Sequence, residues 1–97
     1  MARWLFDCNG NAIAFISGDN VFTQSGDFLG QLSGNQVWNS TYQGEIIADD
    51  RLVARDAKPL GLRGLPGLPG LPGLPGLPGL KGPILLPLGY HDLELDD

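Results

Sequence analysis

The chain has 97 residues, enough for one small domain, and its six Lys+Arg against eleven Asp+Glu leave a net charge of −5. That acidic balance gives no electrostatic footprint for nucleic acid and no simple attraction to an anionic membrane surface. Cys8 is the one cysteine and His91 the one histidine, so an intrachain disulfide and a Cys/His metal cluster are both excluded, and no apolar run of about 18 residues offers a membrane-spanning helix. Stability in so short a chain has to come from repetition, closure or oligomerisation.

The first residues, Met1-Ala2-Arg3-Trp4-Leu5-Phe6-Asp7, meet charge too early for a secretory signal, so the default expectation is a cytoplasmic protein. From here to residue 60 the chain repeats itself. Leu5, Val21, Val37 and Val53 fall sixteen apart, as do Phe6, Phe22, Trp38 and Ala54. Gly10 and Gly26 match, with Tyr42 third; Ile16, Leu32 and Ala48 form another column, and Ala14, Gly30 and Ile46 another. Ser17-Gly18 matches Ser33-Gly34, with Asp49-Asp50 third.

Each unit reads as two short strands, such as Ala12 to Ile16 and Asn20 to Thr23, rich in β-branched and aromatic residues. Turn chemistry separates them: Ser17-Gly18-Asp19-Asn20, Ser33-Gly34-Asn35-Gln36, Asn9-Gly10 and Ser25-Gly26. The pattern predicts an all-β domain over residues 1–60, a meander of about four hairpins closing into a shallow barrel. Closure hides strand edges and buries the apolar face that one hairpin cannot bury alone. The fourth unit is imperfect, because Pro59 in Ala57-Lys58-Pro59-Leu60-Gly61 is poor in a paired strand. The alternative closing strand is Gly89 to Leu95.

The four-membered Leu5/Val21/Val37/Val53 column, the Phe6/Phe22/Trp38 column beside it, the Gly-rich turns and a Pro-rich tail ending in Leu88-Gly89-Tyr90 resemble the four-fold β-flower proteins. The resemblance covers roughly residues 3–60 and the tail. It implies a shallow, symmetric bacterial β-barrel with an apolar inner channel, distantly like the Tubby-like fold, and it implies no activity for named residues. On this reading Leu5, Val21, Val37, Val53, Phe6, Phe22 and Trp38 are the candidates for an apolar channel or groove. Core packing is the plainer role for the same residues.

Residues 61–83 depart from that pattern. Gly occupies every third position from Gly61 to Gly82, followed by Leu in each triplet until Pro83. The candidate rod residues are Leu65, Pro66, Leu68, Pro69, Leu71, Pro72, Leu74, Pro75, Leu77 and Pro78. Proline fixes φ near the polyproline II value, so the tract is expected to be an extended rod. Three readings compete. A single chain packed on apolar β surface would bury the leucines, as aromatic grooves bind polyproline II segments. A collagen-like trimer has the right Gly period but would show its leucines to water. A flexible linker is the third, although such linkers are usually polar. The last segment, 84–97, turns from apolar to acidic.

Chemistry-bearing groups are sparse. Asp7-Cys8-Asn9-Gly10-Asn11 has glycine at the wrong offset for a calcium loop and reads as a turn. Cys8 has no basic neighbour in sequence. His91 beside Asp92 has no nucleophile pattern with it. Asp49-Asp50 and Asp96-Asp97 are adjacent pairs, which a strand would point to opposite faces. The sequence therefore points to a protein that is not an enzyme and needs no cofactor. The expected role is a structural or protein-interaction module whose Gly-Leu-Pro rod docks on the apolar β surface or channel of its own or another chain, as a monomer, a trimer or another homo-oligomer. The alternatives are an apolar-ligand or membrane-lipid module of Tubby-like type, and a collagen-like trimeric stem with a globular head.

Overall fold

Short runs rich in Val, Ile, Phe and Trp, broken by Gly, Asn and Asp, form eight strands among the described residues. They are β1 (Ala2–Phe6), β2 (Ala12–Ser17), β3 (Asn20–Thr23), β4 (Phe28–Ser33), β5 (Gln36–Asn39), β6 (Thr41–Ile47), β7 (Arg51–Arg55) and β8 (Tyr90–Asp92). The structure, a computed structural model, describes residues 2–61 and 75–93. The described residues hold no helix, so the chain is all-β.

Each strand pairs with the next in one sheet, β1 to β8 in order, and every such pairing is antiparallel. The barrel closes where Phe6 of β1 meets Arg51 of β7. That contact is parallel, because odd-numbered strands of an up-and-down meander all run the same way. β7 then gives its remaining edge to β8, with Val53 opposite Asp92, Ala54 opposite His91 and Arg55 opposite Tyr90. The result is a closed seven-stranded barrel with a short eighth strand beside the closing seam. The stretch Ala57–Gly61 forms no strand, and Leu60 within it is 96% exposed.

The hairpin turns follow their residues. Gly18 (φ 63°) and Gly34 (φ 65°) each open a two-residue turn, with Ser17 opposite Asn20 and Ser33 opposite Gln36. The third unit differs. A single residue, Ser40 (φ 62°), turns β5 into β6, and Ala48-Asp49-Asp50 turns β6 into β7. The columns after Trp38 therefore slip, and in β7 Leu52 rather than the expected Val53 joins Leu5, Val21 and Val37 in the aliphatic core. Leu5 faces Ala14 and Val21 faces Gly30, but Val37 faces Gly44, not the expected Ile46. Three register shifts, after Leu5, Val21 and Val37, leave Ile13, Leu29 and Gln43 as extra residues on the partner strands. Such bulges bend and twist a strand, which helps so short a sheet to close.

Both faces of the sheet are apolar. Leu5, Ala14, Ile16, Val21, Val37 and Leu52 form the aliphatic core, with Ile46 and Leu93 packed against it. On the other face the cross-strand partners Trp4, Phe15, Phe22 and Phe28 form an aromatic ladder with centroid separations of 5.6, 5.4 and 5.9 Å. Aromatic contacts of this kind contribute about 0.5–1.5 kcal/mol each beyond the area they bury.

Candidate interaction site

The structure places the expected channel residues in the core. Leu5, Val21, Val37 and Val53 are fully buried, and Phe6, Phe22 and Trp38 are 3–6% exposed. Trp4 and Leu5 are neighbours on one strand and point to opposite faces, and so do Val21 and Phe22. The aliphatic and aromatic columns thus do not line one groove.

The tail instead crosses the seam between β1 and β7. The Trp4 indole donates to the Gly76 carbonyl. Arg51 Nη1 donates to Asp7 O at 2.9 Å and Nη2 to Gly82 O at 2.6 Å. Lys81 Nζ lies 2.6 Å from Asp50 Oδ2 and 5.5 Å from the centre of the Phe6 ring. The Ile84 amide donates to Cys8 O at 2.8 Å. Gly10 (φ 93°) sits beneath this strap, and a Cβ there would collide with the Lys81 carbonyl.

These anchors are backbone carbonyls, one backbone amide and one ammonium, so the leucines are left outside. Leu77, Leu80, Leu85 and Leu88 are 96–105% exposed. The expectation that the rod buries its Leu face on its own barrel does not hold at Leu77, and Pro78 is exposed beside it. Pro75 is half-buried. Leu65, Pro66, Leu68, Pro69, Leu71, Pro72 and Leu74 lie outside the described residues.

Beside β8 the barrel holds a polar cluster. Glu45, 1% exposed, accepts from Tyr42 Oη at 2.8 Å and Arg55 Nε at 2.6 Å through Oε1, and from Tyr90 Oη at 3.2 Å through Oε2. The Arg55 amide donates to Tyr42 Oη at 3.2 Å. A buried carboxylate is tolerated when its lone pairs are filled in this way. Burial and the Glu45 hydrogen bond push the Tyr42 phenol up to about 12, and the same carboxylate raises Arg55 further. No feature of the sequence around Gly44-Glu45-Ile46 marks Glu45 as buried, because its partners lie 3, 10 and 45 residues away.

Two hollows adjoin this cluster. One, of about 410 Å³, is lined by Tyr42, Gln43, Ala54, Lys58, His91 and Leu93. The other, of about 310 Å³, is lined by Thr41, Tyr42, Lys58, Pro59, Leu60 and Gly61. His91 Nδ1 is 2.7 Å from Asp56 Oδ1, so its carboxylate partner is not the neighbouring Asp92. Asp92 turns to Cys8, accepting from the amide at 3.0 Å and from Sγ at 2.9 Å. That hydrogen bond, with burial and the nearby Asp92 charge, raises the Cys8 thiol above its ordinary value.

A closed seven-stranded meander with an added edge strand, built on small Gly turns, carries a family assignment. A family model described as 4-fold beta flower protein matches residues 1–90. The chain belongs to the four-fold β-flower family. The match runs through the barrel and the strap to the first residue of β8, so the tail that seals the seam is within the β-flower match. No curated protein and no solved structure matches the chain.

Proposed function

We infer that the chain is a non-catalytic structural and protein-interaction module that associates with a second copy of itself through the leucine ridge of its tail. The observation that carries this reading is the division of labour in the strap. Its carbonyls and Lys81 are held by Trp4, Arg51 and Asp50, while Leu77 and Leu80 stand fully exposed three residues apart. Apolar side chains that are fully exposed and rigidly presented mark an interaction surface more than a folding requirement. Burying one leucine is worth about 1.5–3 kcal/mol, and anchoring the strap beforehand lowers the ordering cost of association. A second copy presents the same ridge at the same spacing, which makes the contact self-complementary about a two-fold axis.

The packing of the strap on Gly10 favours a single chain over a triple helix at this end of the tract. A non-catalytic role is supported by the separation of reactive groups: His91 faces Asp56, whereas Cys8 faces Asp92. The test is native mass as a function of concentration, for the parent chain and for Leu77→Ser with Leu80→Ser. The reading requires a dimer that the double variant loses.

A further inference from the structure

The two hollows share Tyr42 and Lys58 and differ in chemistry. The larger brings Lys58, His91 and Gln43 together with the apolar Ala54 and Leu93. The smaller continues toward Pro59 and Leu60. Lys58 makes no ion pair or hydrogen bond among the described residues, whereas Lys81 and Arg55 are committed to Asp50 and Glu45. His91 is held through Nδ1 by Asp56, which leaves Nε2 as its open ring nitrogen. Gln43 spends its amide donor on Thr41. A concave, largely polar surface on which Lys58 has no ion-pair partner among the described residues, with apolar Ala54, Leu93, Pro59 and Leu60 beside it, complements an amphipathic anion.

We propose that the two adjoining hollows bind a medium-chain alkyl carboxylate, with its head group at Lys58 beside the His91 ring and its chain along Leu93, Ala54, Pro59 and Leu60. A monoanion fits better than a phosphate dianion. No guanidinium is among the described residues lining either hollow, Arg55 on neighbouring β7 is tied to Glu45, and Asp56 already offsets part of the local positive charge. This site does not depend on Leu77 or Leu80 and stands apart from self-association.

Octanoate is the probe, with 1-octanol as its neutral counterpart, each titrated into the full chain and followed by calorimetry and by the His91 ring signals in NMR. Octanoate should bind, shift those signals, and bind at least about tenfold more tightly than octanol. Lys58→Gln with His91→Gln should remove that advantage and leave octanol unchanged. Both side chains are exposed, and the comparison of octanoate with octanol on the unaltered chain needs no variant. The proposal is overturned by absence of octanoate binding, by equal binding of octanoate and octanol, or by an unchanged preference in the double variant.

Discussion

Arg55 Nε and Glu45 Oε1 lie 2.6 Å apart, with Glu45 1% exposed and the Arg55 side chain 45% exposed. The pair therefore joins a buried charge to a solvated one. Tyr42 also donates to Oε1 and Tyr90 to Oε2 of the carboxylate, so one side chain on β6 ties together β6, β7 and β8. Removing it strands three donors. Glu45→Ala is expected to cost about 3 kcal/mol in urea denaturation, the range for breaking a buried, hydrogen-bonded pair. A loss under about 1 kcal/mol would place the cluster outside the stabilising core.

The same cluster sets an alkaline limb. The Tyr42 phenol is raised from 10.0 to about 12 in the folded chain, so the folded state holds this proton more tightly than the unfolded state. Its contribution is complete below pH 10 and is lost as pH rises from 10 toward about 12. Stability measured across that window should fall for the parent chain and fall less steeply for Tyr42→Phe. Tyrosinate absorbance should show one late-titrating phenol in the folded protein.

How much of this was legible in the sequence depends on what each residue touches. Leu5, Val21 and Val37 announce themselves by spacing, and Gly18 and Gly34 by turn chemistry, because both signals are local; the expected fourth member, Val53, is displaced by Leu52, which joins the other three in the aliphatic core. The slip after Trp38 was not legible. Ser40 does the work of a four- or five-residue loop in a left-handed conformation that its side chain does not advertise. The separation of the valine and aromatic columns onto two faces follows from strand alternation and was available from the sequence. The strap was not, since most of its bonds run to backbone carbonyls, which every residue has. Lys81 is the exception, a cation where Pro66, Pro69, Pro72, Pro75 and Pro78 fill the third position, as Arg63 does at the start of the tract.

The Cys8 thiol is raised by its hydrogen bond to Asp92, so less thiolate exists at a given pH than for an ordinary cysteine. Modification by a disulfide reagent at pH 8 is expected to be slower than for a model thiol. Asp92→Asn should speed it, by removing both the acceptor charge and its repulsion of the thiolate. Equal rates for parent and variant would contradict the assignment.

Gly10 and Gly18 separate strap docking from backbone strain. Both have positive φ, but a Cβ on Gly18 meets nothing within 4 Å, while one on Gly10 collides with the strap at Lys81. Gly18→Ala should cost about 1 kcal/mol, from conformation alone. Gly10→Ala should cost about 2–3 kcal/mol and expose the strap to proteolysis near Lys81. Similar losses with no change in cleavage would show that the strap bears no weight on Gly10.

Lys81 and Asp50 meet at 2.6 Å with 41% and 14% exposure. Screening limits such a pair, so Lys81→Met should cost no more than about 1 kcal/mol, and less at high salt. The hydrogen bond from the Arg51 guanidinium to the Gly82 carbonyl persists in that variant and should keep the strap in place.

Self-association through the leucine ridge is the central claim, and sedimentation equilibrium across a range of concentrations tests it most directly. The account predicts a dimer for the parent chain and a folded monomer for Leu77→Ser with Leu80→Ser, with denaturation midpoints at low concentration that agree. A parent chain that stays monomeric at all concentrations, or a double variant that keeps the same mass as the parent, would contradict it.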